Sequence, residues 1–209
     1  MPAATDPSAA ASVPRWRAWL PKALFEAALI VLSVLLALVV NEWRERRQQA
    51  KRAEIALQSI QSELRENLEN VKRARANHLA MQESVRSYTS RGQVPPPPVY
   101  LGGIFNPALV SSSAWESARE AGVTSNVPYG LVLELSWVYA EQARYRALGD
   151  DLVQDLMSQI RREGMEPVLR DRSMNFIPLQ EDFANREQRL TEVYERVLDE
   201  LSKNVDATS

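Results

Sequence analysis

The sequence predicts a mainly α-helical protein, in which an N-terminal transmembrane helix continues into a long helical stalk packed with a small helical bundle. Three observations predict it. An uncharged apolar run, AALIVLSVLLALVV, occupies residues 27–40. A heptad of apolar positions follows it, with no proline or glycine between Asn41 and Ser90. Period-two alternation of β-branched residues, the mark of strands, is confined to short pieces near Val99–Phe105.

Composition bounds the function. A chain of 209 residues holds one domain plus extras. The net charge of −2 gives no nucleic-acid footprint and no acidic tail. Charge is segregated: Asp6, Glu26, Arg15, Arg17 and Lys22 bring residues 1–41 to +1, which leaves −3 for the rest. With no cysteine, disulfides, thiolate catalysis and cysteine-ligated zinc or iron–sulfur centres are excluded.

Residues 1–19 read as a disordered tail, rich in Ala, Ser and Pro at its start. Residues 20–41 read as the membrane span. From Leu20 to Val40 a helix is about 32 Å long at 1.5 Å per residue, against a bilayer core of roughly 30 Å. The uncharged run alone is too short, so Lys22 and Glu26 sit at the rim, where Lys22 can snorkel. Trp16 and Trp19 at one end, and Trp43 and Arg44 at the other, supply the interfacial anchors. A cleavable signal peptide, a buried core helix and a helix lying flat on the membrane are the competing readings. Bulky Val39 and Val40 before Glu42 make a poor cleavage site. Arg44, Arg46, Arg47, Lys51 and Arg52 after the span outnumber Arg15, Arg17 and Lys22 before it, which favours a cytoplasmic C-terminal domain. Long domains can nevertheless cross regardless of loop charge.

Residues 42–90 read as a long amphipathic helix. Its stripe is Ala50, Ala53, Leu57, Ile60, Leu64, Asn67, Val71, Ala74, His78, Met81, Val85 and Tyr88, alternating steps of three and four. Such a stripe packs on other helices of the same chain or forms a coiled coil between chains. Asn67 either fixes register or faces solvent. His78, the single histidine, is expected to be a half-buried helix residue rather than a metal ligand. Glu63, Glu66 and Glu69 interleave with Arg65, Lys72 and Arg73 and read as a solvated face.

Residues 91–110 read as a Pro/Gly-rich linker, with Gly92 ending the helix and Pro95–Pro98 expected as polyproline II. Residues 111–205 read as a helical bundle. Ser113 and Glu116 form a capping-box pattern and Gly122 a C-terminal stop. Pro128 opens a central helix or helix pair, with the pattern resuming after Gly149 and stopping at Gly164 and Pro167. Pro178 is expected to precede the last helix, whose face is Phe183, Leu190, Val193, Tyr194, Val197, Leu198 and Leu201.

Phe25-Glu26, the apolar run and Asn41-Glu42-Trp43-Arg44-Glu45, together with Ser112-Ser113-Ala114-Trp115-Glu116, Ala121-Gly122 and the Leu135–Tyr139 segment, carry a resemblance. Over most of residues 23–145 the chain resembles a family of bacterial single-pass membrane proteins classed only as a domain of unknown function. It departs from that pattern at Leu38-Val39-Val40, where a more polar approach to Asn41 is expected. The resemblance implies a bacterial inner (plasma) membrane location and carries over no catalytic residue.

No Walker loop, GxGxxG turn or GxSxG elbow is present. No catalytic residue, cofactor or metal is therefore assigned. The reading is a membrane-anchored scaffold or interaction protein, not an enzyme, whose partners are the bilayer and a protein or second copy met through helical faces. The alternative is a single-pass sensory module with a ligand surface among Trp115, Trp137, Tyr139 and Tyr145, signalling through a separate partner.

Overall fold

The computed structural model describes the backbone of residues 16–100 and 105–206, and all their side chains except those of residues 16–24, 27, 171–175 and 204–206. Its elements are α1 (Trp16–Thr89), a 3-10 turn (Pro97–Tyr100), α2 (Ser113–Glu120), a second 3-10 turn (Val123–Asn126), α3 (Tyr129–Glu163) and α4 (Met165–Asp206). No strand occurs among the described residues. The chain divides into two compact units between Gln49 and Ala50.

In the first unit, α1 begins at Trp16, inside the stretch expected to be a tail. The rest of that tail, residues 1–15, and the side chains of Trp16, Trp19 and Lys22 lie outside the described residues. Large apolar side chains from Phe25 to Val40 are exposed, among them Ile30, Leu32, Leu36 and Val39 at 62–66%. The Ser33 hydroxyl donates to the Leu29 carbonyl at 2.7 Å, so the one polar residue of the run is satisfied within its own helix. Among the described residues no helix is long and apolar enough to cross a membrane. The expected span starts at Leu20, and its residues 20–24 and 27 have side chains outside that description.

In the second unit, the heptad stripe from Ala53 to Val85 turns inward and forms the core with α3 and α4; only Leu57 within it is partly exposed. The stripe is thus the face that packs within the chain. α1 and α3 run in the same direction, because Glu63 meets Tyr139 and Asn67 meets Gln142. α4 runs against both: Glu187 meets His78 and Tyr145, and Lys72 pairs with Glu195 at 2.9 Å. The side chains of Phe183 and Tyr194, both fully buried, fill the space among the three helices.

Several local expectations are corrected. Pro97 lies in a 3-10 turn rather than polyproline II, closed by the Val99 N–H donating to the Pro96 carbonyl at 2.9 Å. The φ that proline fixes suits either conformation. Of the two alternatives for the central segment the single helix is found, α3 running through Gly149 without a break. Pro178 lies inside α4 instead of preceding it. Its ring removes one helical hydrogen bond, but Pro178 is exposed, so water can take the freed carbonyl, while Phe176 and Gln180 on either side are buried and hold the helix to the core. Helix α2 starts with Ser112 as its N-cap, one residue earlier than the expected box. The Ser112 hydroxyl donates to Glu116 at 2.6 Å, because that of Ser113 is taken by Glu63. Gly92 and Gly122 stop their helices as expected, at φ of +67° and +66°, where a side chain is strained.

Candidate functional site

The most organised cluster of polar side chains lies inside the second unit, around residues 105–114. Up to Ser112 this strap has no helix or strand partners of its own; it lies along the helices with Phe105 buried and the rest part-exposed or exposed. Buried backbone N–H and C=O groups must find hydrogen bonds somewhere, and here side chains from the three helices supply them. The Asn106 N–H donates to His78 Nε2 at 3.3 Å. The Ala108 N–H donates to the Tyr145 hydroxyl at 2.7 Å. The Leu109 carbonyl accepts from Asn70 at 3.0 Å and the Val110 carbonyl from Arg146 at 3.1 Å. Ser111 is held on both sides: its N–H donates to Asn67 Oδ1, and its carbonyl accepts from Asn67 Nδ2 and Gln142 Nε2, all at 2.8 Å. The Ala114 N–H donates to Glu63 at 2.9 Å.

Two carboxylates anchor this layer. Glu63 is 8% exposed and accepts from the Tyr139, Ser111 and Ser113 hydroxyls as well as from Ala114. Burial pushes its carboxyl up, but the Ala114 N–H, then the Tyr139, Ser111 and Ser113 hydroxyls, outweigh burial and hold it below the ordinary carboxylate value. Burial, reinforced by the Glu63 charge, drives the Tyr139 phenol far above its usual range. Glu187 is fully buried; its Oε1 accepts from the Tyr145 hydroxyl at 2.7 Å, and its Oε2 lies 3.0 Å from His78 Nδ1. Since His78 Nε2 accepts from Asn106, the hydrogen-bond network assigns a proton to Nδ1, which donates to Glu187. A second link closes the layer, with the Tyr194 hydroxyl donating to Gln142 at 2.8 Å.

A tyrosine–carboxylate–histidine chain has the components of acid–base chemistry. Here its members are enclosed and already partnered. Tyr145, Glu187 and His78 are at most 2% exposed, and the Tyr145 oxygen already accepts from Ala108. Each group meets a backbone or side-chain partner, and Tyr145 borders a pocket of only about 20 Å³. Among the described residues no group of three His, Cys, Asp or Glu side chains is placed to hold a metal ion.

The four aromatics expected to share a ligand surface do not share one. Trp115 and Tyr139 stack with centroids 5.5 Å apart and planes at 2°, both buried. Tyr145 lies further along α3, edge-on to Phe183 at 5.8 Å. Trp137 points out from α3, 43% exposed, with the Arg196 guanidinium 5.2 Å from its ring centre. Within α3 the helical period explains the split between Trp137 and Tyr139, since residue 137 is two positions, about 160° around the helix, from both 135 and 139. Trp43 and Arg44 are exposed on α1. His78 is fully buried rather than half-buried, and Glu63 is a buried anchor rather than part of a solvated face.

Sequence reasoning missed Glu63, Gln142, Glu187 and Tyr194 as one layer. A signal existed: Glu63, Asn67 and His78 all fall on or beside the buried stripe of α1, and a polar residue there requires a partner. What the sequence hides is that the partner is loop backbone. No family model, no curated protein and no solved structure matches the chain.

Proposed function

We propose that this chain is a membrane-anchored helical scaffold: the apolar half of α1 holds it in a lipid bilayer, and the domain from Ala50 onward presents helical faces to a protein partner or a second copy. The observation that carries the reading is the run from Leu29 to Val40, in which Leu29, Ile30, Val31, Leu32, Val34, Leu35, Leu36, Leu38, Val39 and Val40 are all exposed, on every side of the helix. Covering a large aliphatic side chain is worth roughly 1.5–3 kcal/mol. A single helical face in contact with protein covers only a stripe, whereas lipid covers all sides at once. The resemblance to bacterial single-pass proteins agrees with an inner-membrane location, and the excess of Arg and Lys after the run favours a cytoplasmic domain.

The polar layer supports a non-catalytic role. Glu63, Glu187 and His78, the buried titratable groups that could perform chemistry, are held by hydrogen bonds to the strap or to the side chains that grip it. The test is alkaline carbonate extraction of membranes carrying the full chain, followed by crosslinking. The expected result is retention in the membrane pellet, release on deletion of residues 25–40, and a discrete crosslinked species. Full extraction of the intact chain would rule out the anchor. A chain that stays in the membrane but crosslinks to nothing would rule out the scaffold.

One observation favours a second reading, a single-pass ligand-binding module that signals through a separate partner. An open groove of about 590 Å³ runs between α1 and α2, lined by Arg52, Ile55, Ser59, Ser117, Ala121 and Val123 among others. That volume lies in the range of small-molecule sites. Trp115 on α2 neighbours the groove residue Ala114, so a ligand-dependent change in its fluorescence would support this reading, and silence across a metabolite panel would count against it.

A further inference from the structure

Where the apolar run of α1 ends, charge is sorted around the helix. At 3.6 residues per turn, Trp43 and Arg44 fall about 40° and 60° to either side of Arg47, whereas Glu42 and Glu45 fall about 140–160° away from it. Leu36 and Val40 lie within about 20° of the Arg47 direction, so the basic face follows directly on apolar side chains of the run. Both acids are engaged on their own side of the helix: Glu42 by Arg46, and Glu45 by Asn41 Nδ2 at 2.9 Å. Arg47 lies over the Trp43 ring, its guanidinium carbon 4.7 Å from the ring centre. Arg44 has no acidic partner among the described residues.

We propose that Trp43, Arg44 and Arg47 form a binding site for the headgroup of an anionic phospholipid; this rests on the membrane anchor proposed above. The chemistry of each residue fits. A guanidinium fork donates two parallel hydrogen bonds to phosphate oxygens. An indole ring rests at the level where hydrocarbon meets headgroup, with its N–H toward water. Trp43 holds Arg47 through its ring face, so the fork is ordered before lipid arrives. The two acids face away and add no repulsion on the binding side. A zwitterionic headgroup brings a cation with its phosphate and loses most of the attraction, so the site discriminates by headgroup charge. Basic residues near an anionic surface contribute roughly five-fold in binding apiece, and less when partly screened.

The test uses the full chain reconstituted in phosphatidylcholine vesicles that contain a trace of acyl-chain spin-labelled lipid, either phosphatidylglycerol or phosphatidylcholine. Quenching of tryptophan fluorescence reports which lipid gathers beside the helix. The labelled phosphatidylglycerol is expected to quench roughly two- to five-fold more effectively than labelled phosphatidylcholine at low salt. The R44Q/R47Q double variant should bring that ratio down toward the level left by the other basic residues, and R44K/R47K should restore part of it. Both variants change exposed side chains, so helix content by circular dichroism is expected to stay level. A ratio near one for the native chain, or one unmoved by R44Q/R47Q, overturns the headgroup site while the anchor stands. A chain that carbonate strips from the vesicles overturns the anchor, and the site with it.

Discussion

The two halves of α1 are built on opposite rules. From Phe25 to Val40 the helix shows large aliphatic side chains on all sides and keeps its single hydroxyl bonded to itself. From Ala53 to Val85 it buries an apolar stripe but also takes inside four polar side chains, Glu63, Asn67, His78 and Gln82, at 8%, 1%, 1% and 7% exposure. Apart from Glu26 near its start, the first half offers solvent almost nothing but apolar surface. The second half uses buried polarity to capture a strap of backbone that has no ladder of its own. The contrast teaches that a polar residue on a buried stripe is not a flaw in the pattern when an irregular segment has to be held beside it.

The sharpest way to break this comparison is to remove the most enclosed anchor. Glu187→Ala leaves the Tyr145 hydroxyl and His78 Nδ1–H without their acceptors and opens a cavity. Its expected cost, from two orphaned buried donors and the cavity, is about 3–5 kcal/mol, read as a shift of the urea midpoint followed by tryptophan fluorescence in the full chain. Membrane retention should not change, because the apolar half is untouched. A loss of retention in this variant would show that the two halves do not obey separate rules.

Glu63 comes next. Glu63→Gln keeps one acceptor oxygen but presents an NH₂ to a cluster of donors, and bonds to a charged group contribute about 1.5–3 kcal/mol. The pH dependence has a definite sign. The folded carboxyl is held below its ordinary value of 4.5, so its stabilisation is complete above that pH and is lost as pH falls through the lowered folded value. The stability gap between the native chain and Glu63→Gln should therefore be full at pH 7 and close below about pH 4.5. A gap that widens in acid would contradict the hydrogen bonds assigned to Glu63.

Asn67→Leu separates the strap from a coiled coil. In a heptad seam between two chains, leucine for a buried asparagine adds stability. Here it orphans the Ser111 N–H, whereas the Ser111 carbonyl keeps Gln142. The expected result is a loss of about 1–3 kcal/mol, measured by the same unfolding assay, despite the added apolar surface.

Much of the helical plan was legible because it depends on local period. The stripe from Ala53 to Val85, the stops at Gly92 and Gly122 and the face of α4 all follow from side-chain spacing and backbone conformational limits. Tertiary contacts decided the rest. Pro178 stays inside α4 because its neighbours are buried, and Ser113 leaves its capping role because Glu63, fifty residues away, takes its hydroxyl. The polar layer was half legible. Asn67 and His78 stand at stripe positions, but the pattern equally allows Asn67 to face solvent and His78 to be half-buried; among the groups awaiting them is the backbone of residues 105–114, and a backbone N–H has no signature in sequence.

The smallest effect tests how firmly the strap is held. A Cβ on Gly149 would come 3.1 Å from Pro107 Cβ and Cγ, closer than ordinary contact, whereas one on Gly130, in the same helix, would meet open space. Alanine is favoured over glycine in a helix by about 1 kcal/mol, so Gly130→Ala should raise stability by a fraction of that near the helix start. At Gly149 the same gain is opposed by Pro107, which can yield only if the strap moves. The strap is pinned on both sides of that residue, by His78 at Asn106 and by Tyr145 at Ala108. Gly149→Ala is therefore expected to lower stability, by less than about 1 kcal/mol once the helical gain is subtracted. Opposite signs at the two glycines mean that the strap is a fixed part of the core. Equal gains at both would mean that the strap gives way at Pro107, and that the buried polar groups on α1 tolerate a backbone that shifts beside them.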